Sequence, residues 1–249
     1  VIYLTRAWTD HGCVPYADLL NHSSTSGMKL KYITSGLNLP VSKSFPDFSI
    51  MENRHKYDIG EEIFNNYGSF DGKKLLINYG FAVDEEIQYM QVRMNFAPVS
   101  SLHHYINSEI NKFNIPKKTL LLTTRTPSAN LLKYLRLTSL NTHDLVITRN
   151  VENYPNKVIS SNNELSVNKT LLKLILELRR NEYTTERFND CQILLKTSKN
   201  SITLKLATII TKEFQILKNN TAWVHANWIT RLDTPFLKPL IEHIINIDN

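Results

Sequence analysis

Apolar residues follow two different rhythms along this chain. Over the first hundred or so residues they form short β-like runs broken by turns and Pro-containing loops, and Val1–Arg6 and Ile59–Asn66 read as strands. Gln88–Phe96 alternates apolar and other residues, which predicts a third strand. The stretch from Ser23 to Ser49 is rich in Ser, Thr, Gly and Pro and reads as a long loop. Ser101–Phe113 predicts a helix, and Leu120–Thr124 fits either a helix or a strand. After about residue 127 the spacing becomes helical. Ser128 is placed to cap a helix whose Leu131, Leu132, Tyr134, Leu135 and Leu137 form one stripe. Thr170–Glu182 and Ser201–Leu217 repeat that signature, and Pro235–Ile247 offers a fourth. Stripes of this kind predict packed core, so the second part reads as a helical bundle. The contrast between the two parts predicts two domains in an α+β chain, the first β-rich and the second helical.

Composition narrows the classes. The chain has 249 residues and 42% hydrophobic content, enough for substantial cores, but only 7 glycines and no G-x-G, which excludes Rossmann-type nucleotide binding. Its net charge is +6 and its pI is about 9.2. The basic residues are dispersed, with the pairs Lys73-Lys74, Lys117-Lys118 and Arg179-Arg180 as the longest runs, so nucleic acid is not the expected partner. No apolar run reaches the length of a transmembrane helix, so no membrane partner is expected. Cys13 and Cys191 are too few to staple the chain or to bind zinc by themselves. They suit a reducing compartment, the cytoplasm in the first instance, with the nucleus as the alternative. The opening Val1-Ile2-Tyr3 carries neither an initiator Met nor signal-peptide architecture, so the sequence is expected to be part of a longer protein.

Several chemistries are excluded by motif: there is no G-x-x-x-x-G-K-[ST], H-E-x-x-H or G-x-S-x-G. His103 and His104 are adjacent, so on a helix they diverge by about 100° and cannot readily share a metal. Trp223, His225 and Trp228 form an aromatic patch that reads as a packing corner. Two segments remain. Val14–Ser23 ends an apolar run in Asn21-His22-Ser23, and Gly60–Gly68 is followed by Leu75–Phe81. Read locally, each Tyr-Gly is a strand end turning on glycine, and Asn-His-Ser is a turn. Taken together, the segments set aromatic rings and an Asn-His pair at the ends of buried runs, as an enclosure for a small cationic or aromatic ligand requires.

The runs A-D-L-L-N-H-S, G-E-E-I-F-N-N-Y-G and L-L-I-N-Y-G-F, in that order, resemble the SET-domain lysine methyltransferases of the Rubisco large-subunit methyltransferase type. Ala129–Arg136, Asn163-Glu164-Leu165, Tyr183-Thr184-Thr185 and Lys212-Glu213 resemble that family's helical substrate-binding domain. The resemblance implies a partial, knot-like SET domain over 1–97, lacking its N-terminal portion, and an all-α substrate-binding domain over 98–249. It implies S-adenosylmethionine as cofactor and a protein carrying the target lysine as partner. Carried over by position, Asn21 would bind the methionine end of the cofactor, His22 would hold adenine through its main chain, and Phe81 would pack on the adenine. Arg6 would lie near the cofactor and Asp18 would line the lysine channel. Tyr67 would be the catalytic tyrosine, and Tyr79 the second tyrosine beside the target amine.

This sequence departs from the family pattern in two places. Ser69-Phe70-Asp71-Gly72-Lys73-Lys74 replaces a Ser-Asn followed by acidic residues, and Asn78 stands where Asp is common. Both bear on substrate preference and on the degree of methylation. The competing expectation is a non-catalytic protein-binding module built on a SET remnant. Retention of the polar tips of Asn21, His22, Tyr67 and Tyr79 weighs against it, because a scaffold needs none of them.

Overall fold

A computed structural model describes residues 7–8, 12–13, 19–26, 29–33, 48–52, 56–68, 70–84, 86–94, 102–116, 120–148 and 154–228. The expected strand Val1–Arg6 and helix Pro235–Ile247 lie outside them. In chain order the strands are β1 (Ala7–Trp8), β2 (Gly12–Cys13), β3 (Asn21–His22), β4 (Lys29–Ile33), β5 (Phe48–Glu52), β6 (Phe64–Asn65), β7 (Tyr89–Val92) and β8 (Leu120–Thr123). The helices are α1 (Gly72–Tyr79), α2 (His103–Lys112), α3 (Ala129–Thr138), α4 (Thr142–Thr148), α5 (Ser161–Asn181), α6 (Thr185–Thr197) and α7 (Ser201–Trp228). The fold is α+β, and two compact units form: one of Val1–Phe70 with Lys74–Phe81, the other of Asp71–Lys73 with Ala82–Asn249.

The first unit is built from two-stranded pairs. β1 and β2 are antiparallel, β4 and β5 are antiparallel with Lys29 opposite Glu52, and β3 and β6 are parallel. The expected loop from Ser23 to Ser49 therefore contains most of a hairpin. The apolar positions Leu30, Tyr32, Phe48 and Ile50 carry a period of two that the surrounding Ser, Gly and Pro obscure. The expected strand Ile59–Asn66 contracts to Phe64–Asn65, because Asp58–Glu61 closes a turn in which the Glu61 N–H donates to the Asp58 carbonyl at 3.1 Å.

The second unit is held by an apolar core. β7 and β8 pair antiparallel with Met90 opposite Leu122, and both residues are buried with Val92 and Leu120. Strand wins over helix at Leu120–Thr123 because alternate residues face that core, so residues 98–249, expected as all-α, carry a strand. Ser128 caps α3 as expected, its hydroxyl accepting from the Leu131 N–H at 3.2 Å. α5 begins nine residues earlier than its apolar stripe suggested. Ser160 caps it, accepting from the Asn163 N–H at 3.0 Å. α7 likewise continues past Leu217 to Trp228, which puts Trp223 against the core and His225 in the helix's last turn. α5 and α7 contribute the fully buried Leu171, Ile175, Phe214, Ile216 and Leu217. Arg136 of α3 makes a buried two-pronged pair with Glu164 of α5, at 3.0 and 3.1 Å.

A buried polar group closes this unit. The Tyr183 hydroxyl donates to Glu213 at 2.8 Å, and the Lys73 ammonium lies 3.4 Å from that hydroxyl and 3.5 Å from Glu182. Burial pushes the Glu213 carboxyl up to about 7, against the opposing pull of Lys73 and of the tyrosine hydrogen bond; the negative charges of Asp71 and Glu182 push the same way as burial.

Candidate active site

The site in the first unit starts from a strand pair only two residues long. Asn21 lies opposite Phe64 and His22 opposite Asn65 in the parallel β3–β6 pair. The Asn-His-Ser segment, expected as a turn, is therefore a strand. The Ser23 N–H donates to the Asn65 carbonyl at 2.9 Å. In a parallel ladder a residue bonds the two neighbours of its partner, so the main-chain N–H and C=O of His22 face away from β6. Side chains reinforce so short a pair. The Ser26 hydroxyl donates to the Phe64 carbonyl at 2.5 Å, and the Asn66 amide donates to the Ser24 carbonyl at 3.2 Å.

Tyr67 follows directly from β6 and is fixed at both ends. Its N–H donates to His22 Nδ1 at 3.1 Å, and its hydroxyl donates to the Leu20 carbonyl at 2.7 Å. The first bond sets the imidazole proton on Nε2, since a protonated Nδ1 could not accept. The second commits the phenol's only proton, so toward any other group the oxygen can only accept.

Tyr79 and Phe81 arrive from α1. The segment Leu75–Phe81, expected to end as a strand, ends as a helix. The Gly80 N–H donates to the Leu76 carbonyl at 3.0 Å, and Gly80 takes φ +80°, the left-handed turn that stops a helix. That reversal brings Phe81 back beside the last helical residue. The Tyr67 and Tyr79 ring centroids lie 4.7 Å apart, His22 is 5.2 Å from Tyr67, and Phe81 is 5.9 Å from His22 and 6.1 Å from Tyr79. Phe70 adds a further ring at 6.1 Å from Tyr79. Burial, with a smaller contribution from Tyr67, raises the Tyr79 phenol above its ordinary value, so it stays protonated.

The structure thus brings together His22, Tyr67, Tyr79 and Phe81, with Asn21 on the opposite face of β3 from His22. Asn21 donates its amide N–H to Glu62 at 2.6 Å. Arg6 and Asp18 lie outside the described residues. Sequence reasoning passed over three participants. The Leu20 carbonyl has no side-chain signature. Phe70 was read only as a departure from a family pattern, and Glu62 only as one letter of a motif. The neighbouring Glu61 has a different task, accepting from the Asp58 N–H at 2.9 Å within the turn. His103 and His104 are exposed, with rings 6.1 Å apart and nearly perpendicular. No group of three or more metal-ligating side chains occurs among the described residues. A ring cluster around a phenol whose proton is committed forms an apolar enclosure with an oxygen that can only accept.

No protein-family model matches the chain, and no curated protein sequence does either. Solved structures do. The SET domain of LSMT bound to lysine and AdoHcy is similar at 18% identity and a TM-score of 0.56, covering 96% of this chain and 57% of that one. Rubisco LSMT bound to AdoMet matches at 17% and 0.53, with 97% and 60% covered. Rubisco LSMT bound to sinefungin and monomethyllysine matches at 19% and 0.52, with 96% and 56% covered. The chain spans under two thirds of the length of these neighbours, and over nearly its whole length it shares the fold of the Rubisco LSMT structures.

Proposed function

We propose that this chain transfers a methyl group from S-adenosylmethionine to the side-chain amine of a lysine in a protein substrate. The observation that carries the reading is the pairing of Tyr67 and Tyr79 at 4.7 Å beside the β3–β6 strands, in the fold of the Rubisco LSMT structures. The residues present fit the cofactor. Phe81 offers a ring for adenine, the His22 main chain is turned away from β6, and Asn21 offers an amide for the methionine end. S-adenosylmethionine supplies a sulfonium-activated methyl group and leaves as S-adenosylhomocysteine.

The protein's contribution is position and electrostatics. A lysine with a reference pKa near 10.4 must become neutral before it attacks, at a cost of about 4.6 kcal/mol at pH 7. Enclosure among the rings lowers that cost, because desolvation opposes the charged amine. With its proton held by the Leu20 carbonyl, Tyr67 presents only acceptor character to the reacting centre. It therefore orients N–H donors of the amine and the polarised methyl without giving up a proton. Tyr79, kept neutral, borders the amine and can donate to it.

In this reading the Asn21–Ser23 and Tyr79–Phe81 segments cross in a knot-like arrangement, residues 1–97 form the catalytic portion, and residues 98–249 form a substrate-binding portion. Arg6 and Asp18 keep their roles near the cofactor and in the lysine channel. The protein acts in the cytoplasm or nucleus, where a buried, unpaired Cys191 is at home. Among the described residues no helix is long and apolar enough to cross a membrane.

The test is calorimetric binding of S-adenosylhomocysteine, followed by labelled methyl transfer into cell extract read by mass spectrometry at lysine. Binding with label on lysine supports the enzyme. Failure of the full-length protein to bind the cofactor would leave the non-catalytic binding module as the better reading.

A further inference from the structure

Resting on the cofactor reading above, we infer that Glu62 is a positioning residue for the methionine end of the ligand, selecting its α-ammonium over its carboxylate. An asparagine amide is by itself ambiguous, with an oxygen that accepts and a nitrogen that donates, and it can turn either to a ligand. A carboxylate only accepts. The 2.6 Å contact therefore fixes the Asn21 nitrogen toward Glu62 Oε1 and leaves the Asn21 oxygen as the group offered outward.

The contact is held by main-chain register rather than by chance meeting of two long side chains. Asn21 is paired with Phe64, and Glu62 stands two residues before Phe64 on the chain that enters the strand. The adjacent acid is occupied elsewhere, since Glu61 accepts from the Asp58 N–H. Other contacts hold the local fold. The Asp58–Glu61 turn, the Ser26–Phe64 bond and the Asn66–Ser24 bond hold the segment. What Glu62 adds is an acceptor orientation for Asn21 and a negative charge beside it. A group with N–H donors and positive charge is favoured there, and a carboxylate is repelled.

The experiment measures binding of two probes by calorimetry to the wild-type protein, Glu62→Ala and Glu62→Gln. S-adenosylhomocysteine carries the amino-acid end; 5′-methylthioadenosine has the same adenosine and thioether without it. Glu62→Ala is expected to weaken S-adenosylhomocysteine about tenfold, on the scale of a charge-assisted hydrogen bond near solvent. The Kd of methylthioadenosine should stay within about twofold, since it meets neither Asn21 nor Glu62. Glu62→Gln, whose amide oxygen can still accept from Asn21, should lose less than Glu62→Ala. Equal weakening of both probes would assign Glu62 a structural role and overturn the inference, as would an unchanged Kd for S-adenosylhomocysteine. A wild-type protein that binds neither probe overturns the cofactor reading itself, and the assignment of Glu62 falls with it.

Discussion

Replacing Glu213 by Gln should make the protein more stable at pH 8 and leave its stability unchanged near pH 4. The carboxyl is 3% exposed, accepts from the Tyr183 hydroxyl, and is pushed from its ordinary 4.5 up to about 7. Between those values the folded chain holds a proton that the unfolded chain has released, so stability falls as pH rises through the window. At about 1.4 kcal/mol per pH unit, the carboxylate costs the folded state about 3 kcal/mol above pH 7. Gln keeps an oxygen for Tyr183 and never ionises. For a chain of this size, about 3 kcal/mol corresponds to roughly 6–12 °C in Tm. The assay is thermal unfolding of wild type and Glu213→Gln at half-unit steps from pH 4 to 8.5, read as the difference between them so that other titrations cancel. The difference should open between about pH 5 and 7 and then level off. A second arm fixes the sign. Lys73→Met removes the cation that favours the carboxylate, so the window should move to higher pH. Parallel curves for wild type and Glu213→Gln would refute the reasoning.

Two further outcomes follow from single contacts. Gly72→Ala should destabilise by about 1–3 kcal/mol, because an added Cβ would overlap Ile87 Cγ2, and chemical denaturation measures it. Tyr67→Phe should lower methyl transfer by about 100-fold or more while cofactor binding persists, because it removes the oxygen and leaves the ring; unchanged single-turnover rates would remove Tyr67 from the mechanism.

The helical part was the more legible in sequence, and the reasons are local. Ser128 and the stripe from Leu131 to Leu137 carry both the start and the buried face of α3. The start of α5 is hidden from a hydrophobic period because its first two turns bury Asn163 and Glu164, polar residues that bond α3 through the Arg136 carbonyl and guanidinium. No hydrophobic period announces such a face. In the first unit, Tyr79-Gly80 is ambiguous in sequence because Gly after an aromatic serves strand turns and helix ends alike. Leu75, Leu76 and Ile77 are three consecutive apolar residues, a run that strand and helix share. The site residues were found by resemblance, since 45 positions separate Tyr67 from His22 and periodicity does not reach that far. Glu62 escaped both routes: its role depends on the parallel register of strands only two residues long, which neither spacing nor composition encodes.

That shortness also determines how the site must be tested. Two register pairs contribute little by themselves, so the β3–β6 junction relies on bonds from side chains to main chain, and Tyr67 makes one of them to Leu20. A loss of turnover in Tyr67→Phe thus combines lost chemistry with a loosened junction, each hydrogen bond being worth about 1 kcal/mol. Ser26→Ala separates the two. It removes the 2.5 Å bond to the Phe64 carbonyl, on the same strand pair, and replaces none of the rings. If the Tyr67 hydroxyl acts chiefly by holding the junction, Ser26→Ala should reproduce the loss in turnover along with a comparable drop in denaturation midpoint. If it acts at the reacting centre, Ser26→Ala should share only the drop in stability, and turnover per folded molecule should stay within about twofold of wild type. The two variants measured side by side, with the folded fraction counted by cofactor titration, decide between a phenol that braces the fold and one that also directs the methyl group.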